Sequence, residues 1–389
     1  MAIPLSYNIR NVMRRPVSTL TTAVGVGLTV MIFIGALALA EGFHTALVQT
    51  GSPSNAILLR KGADSELSSG IGRDAVNIIR AHPAVAVGPD GRPLVSADLV
   101  VVNSMPRIGQ PGSSNVNVRG VDITSLALRP AVKLTEGRAF TPGTDEVIIG
   151  QRIAKRFANC RVGDHIQLQK RTFTVVGHFA GGGSAFESEI WGDAAVLGPA
   201  LDRDNVFQSV TVRMRDPKSF DAFKKELEAD PRLQVQAKRE DLFYADQSSM
   251  LTNVIRFIGV FITIIMAVGA VFGAMNTMYA AVQQRTREIA TLFVLGFSPL
   301  AVMTSFMVES VFLALIGGAI GCLMALPING IATSTTNFQS FSEVAFAFRI
   351  TPGALVAGLI FAAVMGVLGG FFPALRAARQ TLAVSLREG

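Results

Sequence analysis

Groups able to do chemistry are scarce in this 389-residue chain, which has four histidines, two cysteines, one tryptophan and only 16% charged residues. His44, His82, His165 and His178 are scattered, with no HExxH and no Cys/His metal spacing, so no metal centre is expected. No GxxxxGK[ST] phosphate loop occurs, which excludes a P-loop ATPase within these residues. Ser184 follows Gly181-Gly182-Gly183, outside any GxSxG context. Cys160 falls in a polar region and Cys322 in an apolar run, so no internal disulfide is expected.

What the chain does have is four long apolar runs, at 20–40, 257–278, 300–326 and 354–374. Each meets the roughly 20 residues needed to cross a bilayer core. A 213-residue polar stretch, 41–253, separates the first run from the second. The fold class expected is a membrane protein with four transmembrane α-helices (1+3) and a large mixed α/β extracytoplasmic domain between helices 1 and 2. The boundaries expected are an amphipathic cytoplasmic helix at 1–16, helix 1 at 17–40, the domain with stalk helices at 41–253 and helix 2 at 254–278. A cytoplasmic helix at 279–297, helix 3 at 298–326, a short outer loop at 327–351, helix 4 at 352–375 and a cytoplasmic tail at 376–389 complete the layout.

Charge placement orients it. Of the 35 basic and 28 acidic residues, 25 and 24 lie within 41–253, leaving 10 basic against 4 acidic elsewhere. The excess sits at Arg10, Arg14 and Arg15, at Arg285 and Arg287, and at Arg376, Arg379 and Arg387. The positive-inside rule therefore places both termini and the second–third connection in the cytoplasm of a bacterial inner membrane. The same distribution argues against nucleic acid as a partner. The first apolar run exceeds the 7–15 residues usual in a cleaved signal, and is read as a retained span.

The large domain reads as mixed α/β. Strand-like runs lie at 56–60, 98–102, 116–121, 146–149, 165–169, 173–177 and 210–214, and helix-like runs at 73–82, 151–157 and 217–228. Two subdomains with a boundary near 110–120 are one reading. Helical spacing at 41–49 and 241–251 extends the first two spans outward, as a paired stalk or as plain linkers. Ser298-Pro299 and Thr351-Pro352 each supply a cap and a preset first turn.

Spans two, three and four each hold a GxxxG: Gly269/Gly273, Gly317/Gly321 and Gly366/Gly370. Such pairs let helix backbones approach closely in lipid, within one chain or between two. Glu309 is the only ionisable residue inside a span. Burying it is costly, and a structural hydrogen bond, with Asn276 and Thr277 approaching from span two, is the reading preferred over ion coupling. A single helix over 279–295, ended by Gly296, carries Gln284, Arg285, Thr286, Arg287, Glu288 and Ile289. It is longer than a minimal turn requires, and suits a surface that receives force.

In the large domain, Glu187 and Glu189 lie beside the single tryptophan, Trp191, in Ser184–Trp191. A loop or edge strand is the plain reading, and a partner-protein contact the functional one. Phe338, Phe341, Phe346 and Phe348 in the outer loop read as interfacial anchors.

These residues carry a resemblance. Met275-Asn276-Thr277-Met278, Gln284 to Ile289, Leu295-Gly296 and Glu309 resemble the FtsX-like permeases, membrane subunits of ABC transporters of the MacB/LolC type (type VII ABC superfamily). Asn8-Ile9-Arg10-Asn11 resembles their opening helix, and Pro373-Ala374 with Ala383-Val384-Ser385-Leu386-Arg387 their tail. Arg119-Gly120-Val121-Asp122, Glu136-Gly137-Arg138 and Val162-Gly163-Asp164 resemble segments of their periplasmic domain. Gln284 and Ala290 depart from the usual Glu and Gly. The resemblance implies a permease that is not itself an enzyme, binds no cofactor, and works with a separate ATPase subunit holding ATP and Mg. It implies a second permease copy in a homodimer or heterodimer, contact with membrane lipid, and a periplasmic adaptor in some members. The 279–295 helix would then be the coupling helix. The output would be mechanotransmission that drives export or extraction of a hydrophobic substrate, lipid or lipoprotein. The alternative is a signalling scaffold that activates an extracytoplasmic enzyme such as a cell-wall hydrolase.

Overall fold

The computed structural model describes residues 16–109 and 111–380. The amphipathic helix expected before Pro16 and the tail from 381 onward lie outside the described residues. In chain order the elements are α1 (Pro16–Val48), β1 (Asn55–Arg60), β2 (Ile71–Gly72), α2 (Arg73–Arg80), β3 (Val95–Pro106), β4 (Ser113–Val121), β5 (Lys133–Gly137) and β6 (Glu146–Gly150). There follow β7 (His165–Leu168), β8 (Arg171–Ala180), β9 (Glu189–Asp193), α3 (Ala194–Ala200), β10 (Val206–Phe207), β11 (Ser209–Arg213), α4 (Phe220–Ala229) and β12 (Val235–Arg239). The last are α5 (Glu240–Gln284), α6 (Thr286–Val294), α7 (Pro299–Ala325), β13 (Ala332–Asn337), β14 (Ser342–Ala347) and α8 (Pro352–Ala378), with single turns between some of them. They divide into a helical unit (Met1–Glu41, Asn253–Ile331, Phe348–Gly389) and an α/β unit (Gly42–Thr252, Ala332–Ala347).

In the helical unit, α1, α5, α7 and α8 are each long and apolar enough to cross a membrane. Ser298 and Thr351 cap α7 and α8, accepting from Ala301 N and Ala354 N, with proline at the first helical position of each. Val30, Ile34, Ala314, Ala362 and Met365 belong to one buried cluster. Small residues make the close crossings. A Cβ on Gly321 would lie 2.4 Å from Gly27 O, one on Gly317 2.7 Å from Ala23 O, and one on Gly370 2.5 Å from Ser310 Cβ. One on Gly366 would lie 2.8 Å from Ala314 Cβ, and the Ser310 hydroxyl donates to Gly366 O at 2.7 Å. Gly269 and Gly273 of α5 instead face open space.

The single helix expected over 279–295 is two. α5 ends at Gln284, Arg285 leaves helical geometry (φ −110°, ψ 19°), and α6 begins at Thr286. No glycine or proline marks this break. The Arg285 amide bonds Val282 O in a tighter turn, and its side chain is drawn into the bundle, as described below. Gly296, at φ +87°, then ends α6 in the left-handed region that glycine tolerates.

The α/β unit is built on one ten-stranded sheet, in the order β12-β1-β11-β3-β4-β9-β6-β8-β5 with β7 paired to β8. The β4–β9 and β6–β8 pairs are parallel, and the remaining pairs of this sheet antiparallel. Side chains alternate across a strand. One face carries two apolar cores, around Val76, Ala97, Val210 and Phe223, and around Leu99, Val118, Ile149, Ile190 and Leu197. The cores meet on β3 between Ala97 and Leu99. The lobe boundary is therefore a seam across the sheet, where the sequence reading places one near 110–120. The 151–157 helix shrinks to one turn, Gln151–Ala154. α1 runs to Val48 and α5 starts at Glu240. Within this unit their ends touch: His44 Nδ1 and Ser248 Oγ lie 2.8 Å apart.

The outer loop also differs from expectation. It forms the β13–β14 hairpin, which belongs to the α/β unit. Phe346 is buried edge-on to Phe43, with ring centroids 5.5 Å apart, so it is a core residue rather than an anchor. Phe338 and Phe341 are exposed.

Candidate functional site

Two polar constellations stand out, one in each unit. In the helical unit, Glu309 of α7 is buried and accepts from Arg285 Nη1 at 2.8 Å. Arg285 also pairs with Glu288 at 3.0 Å and lies over the Phe306 ring at 5.1 Å. An ionised group in an apolar bundle persists only when paired, and Arg285 supplies that partner. The expected approach of Asn276 and Thr277 to Glu309 is not found. Asn276 is exposed, and Thr277 pairs with Thr22 at 3.0 Å. Arg285 is accordingly an inward residue, whereas Gln284, Arg287 and Glu288 are exposed and Thr286 half-buried. Ile289 is buried with Val282 and Phe306 in the cluster that seats α6. Val294 and Leu295, 74% and 64% exposed, extend the free face of this segment.

In the α/β unit, a charged network fills the sheet face opposite the two cores. Arg119 of β4 forks onto Glu189 (2.7 and 2.9 Å) and Glu66 (2.8 and 3.0 Å) and reaches Asp98 at 3.2 Å. Arg129 binds Asp98 at 2.5 Å, Ser209 donates to Glu66 at 2.6 Å and Trp191 Nε1 to Glu189 at 2.7 Å. Burial alone would push the Glu66 carboxyl up; Arg119 beside it, with Ser209, outweighs this and holds it below the usual range. Burial likewise works against the Arg119 charge, and Glu189 and Glu66 outweigh it. Bidentate guanidinium–carboxylate pairs of this kind fix geometry; here they tie β4 to β9 and to the segment that holds Glu66, and the bond to Asp98 adds β3.

Glu187, Glu189 and Trp191 are all buried, which corrects the reading of this segment as a partner contact or an edge strand. β9 is interior, between β4 and β6. Glu187 pairs with Arg152 at 2.8 Å and accepts from Gly181 N and Gly183 N, each at 2.9 Å. Sequence reasoning missed Arg119, Glu66, Asp98 and Arg129 as a constellation. The available signal was a charge inside an apolar strand run, as at Asp98 between Ala97 and Leu99.

Residues 19–230 match the MacB-like periplasmic core domain, and residues 260–382 the FtsX-like permease C-terminal domain. The chain belongs to the FtsX-like permeases of the MacB type. Among its relatives is the macrolide export ATP-binding/permease protein MacB of Burkholderia pseudomallei (strain 1710b), 26% identical over 396 residues, covering 93% of this chain and 56% of the relative. The protein of the same name from Brucella abortus (strain 2308) is 28% identical over 239 residues, 58% of this chain and 35% of the relative. The permease thus spans about half, or less, of the length of these relatives. The periplasmic region of MacB from Actinobacillus actinomycetemcomitans gives a TM-score of 0.38 at 13% identity, over 49% of this chain and 90% of that one. In this permease the family-like segments are structural: Arg119 centres the buried network, and Gly137 and Gly163 turn the chain at φ +70° and +95°.

Proposed function

We propose that this permease is the membrane subunit of an ABC transporter, paired with a second permease copy and driven by a separate ATPase that holds ATP and Mg. Its termini and α6 face the cytoplasm, and the α/β unit lies outside. The output is mechanotransmission, which exports or extracts a hydrophobic substrate. The observation that carries this is α5, an unbroken helix from Glu240 to Gln284. Its first residue is held in the α/β unit, where Glu240 accepts from Ser52 N at 2.9 Å and Asn55 Nδ2 at 2.8 Å. Its last residue precedes the turn at Arg285 that leads into α6. A helix transmits displacement along its axis because each turn is hydrogen-bonded to the next. The exposed face of α6, with Arg287, Thr291 and Val294, is the surface offered to the ATPase.

The test is Arg287→Glu in the full chain, purified with whichever ABC ATPase accompanies it. We expect at least a tenfold loss of co-purifying ATPase with unchanged thermal stability of the permease. Unchanged co-purification and unchanged stimulation of ATP hydrolysis would sink the assignment. Arg285 is unsuitable for this test, because its substitution also breaks the pair with Glu309.

A further inference from the structure

The α/β unit holds a cleft of ≈ 540 Å³ at the seam between its two cores, apart from the groups described above. Its apolar floor is Ala97 and Leu99 of β3, both buried, and the half-buried Phe207 of β10. One wall is α2, which contributes Arg73, Asn77 and Arg80; positions four and three apart share one helix face. The opposite wall, from α3, offers small groups, Ala194, Ala195 and Gly198, that leave room beside the floor. Arg203, Asp204 and Val206 border the cleft in the following segment.

The charges are not equivalent. Arg80 is paired with Asp122 at 2.9 Å. Asp193 accepts from Gly143 N at 2.7 Å and Ala195 N at 2.9 Å. Arg73 and Arg203 are exposed and form no ion pair among the described residues, and Asp204 is the single acid in the lining left in the same condition. Ligand pockets of roughly 300–1,000 Å³ combine an apolar lining with a few placed polar groups, and guanidinium groups bind oxyanions through paired N–H donors. We propose that this cleft binds a small anionic amphiphile, its apolar chain on the floor and its oxyanion head at Arg73 and Arg203.

The proposal goes beyond the coupling reading and is tested without ATP or an ATPase. The full chain, in nanodiscs of uncharged-head lipid, carries a trifluoromethyl label at Ala195→Cys in a Cys322→Ala background, and the fluorine resonance is followed. Octane-1-sulfonate below its micellar range should shift the resonance saturably. 1-Octanol and octyltrimethylammonium should bind at least tenfold more weakly. R73A/R203A should weaken sulfonate binding at least tenfold and remove that preference, and R73Q alone should weaken it several-fold. V206W, which fills the cleft, should abolish the response to all three probes. No saturable shift, equal response to the three probes, or sulfonate binding unchanged by R73A/R203A or by V206W would overturn the proposal.

Discussion

At the residue scale, buried charge governs both units. Arg119 is 1% exposed and binds three carboxylates, an arrangement that holds only because each acid is met by a guanidinium or a hydroxyl. Glu309 and Arg285 repeat the principle with one pair. Removing one member of a buried pair costs about 3–5 kcal/mol, since the other is left uncompensated, whereas an apolar replacement of both is often nearly neutral. We therefore expect Glu309→Gln to destabilise the chain by about 3 kcal/mol and R285M/E309M to restore most of the loss, as measured by a double-mutant cycle on thermal unfolding in detergent. Losses that simply add from the single to the double variant would contradict the pairing. Glu309 stood out in the sequence because it interrupts an apolar run; its partner did not, because Arg285 lies 24 residues away in a segment that otherwise reads as a basic cytoplasmic turn.

At the element scale, the membrane helices are sorted by their glycines. Gly321 and Gly273 belong to the same sequence pattern, yet a methyl at Gly321 meets Gly27 O at 2.4 Å and one at Gly273 meets nothing. Overpacking costs typically about 1–3 kcal/mol. Gly321→Ala should fall in that range, while Gly273→Ala should stay within about 0.5 kcal/mol, read from thermal unfolding of the two variants side by side. A Gly273 penalty equal to that of Gly321 would mean that a second copy occupies that face. The break at Arg285 was illegible for a related reason: it is made by a side chain reaching another helix, and no local residue encodes it.

At the scale of the whole molecule, acid stability follows from carboxylates paired with arginine. Glu66 is held below its ordinary value of 4.5, as is Glu343, where burial is outweighed by hydrogen bonds from Ser334, Arg107 and Ser114. Glu146 is lowered to about 2, chiefly by Arg138. For a depressed carboxylate the unfolded chain binds more protons as pH falls below the unfolded value, so its contribution is present above that value and is lost through the folded pKa. Melting of the full chain, followed by circular dichroism, should fall below about pH 4.5; above it Glu240, whose carboxyl burial pushes up, acts in the opposite sense and adds stability as pH falls. A melting temperature that rises between about pH 4.5 and 3 would refute this account.

Local information sufficed for the four apolar helices, the proline-led starts of α7 and α8 and most strands of the sheet, because hydropathy run length and period-two alternation are set by neighbouring residues. It sufficed for the family as well, through the order of short segments such as Arg119-Gly120-Val121-Asp122. The tertiary structure decided what depends on contacts between distant segments: the seam at Ala97 and Leu99, the burial of Glu187, Glu189 and Trp191, the Arg285–Glu309 pair and the inward Phe346. A charged or aromatic side chain reads alike in sequence whether it faces solvent or a partner, and only the packing of the strands and helices around it settles which.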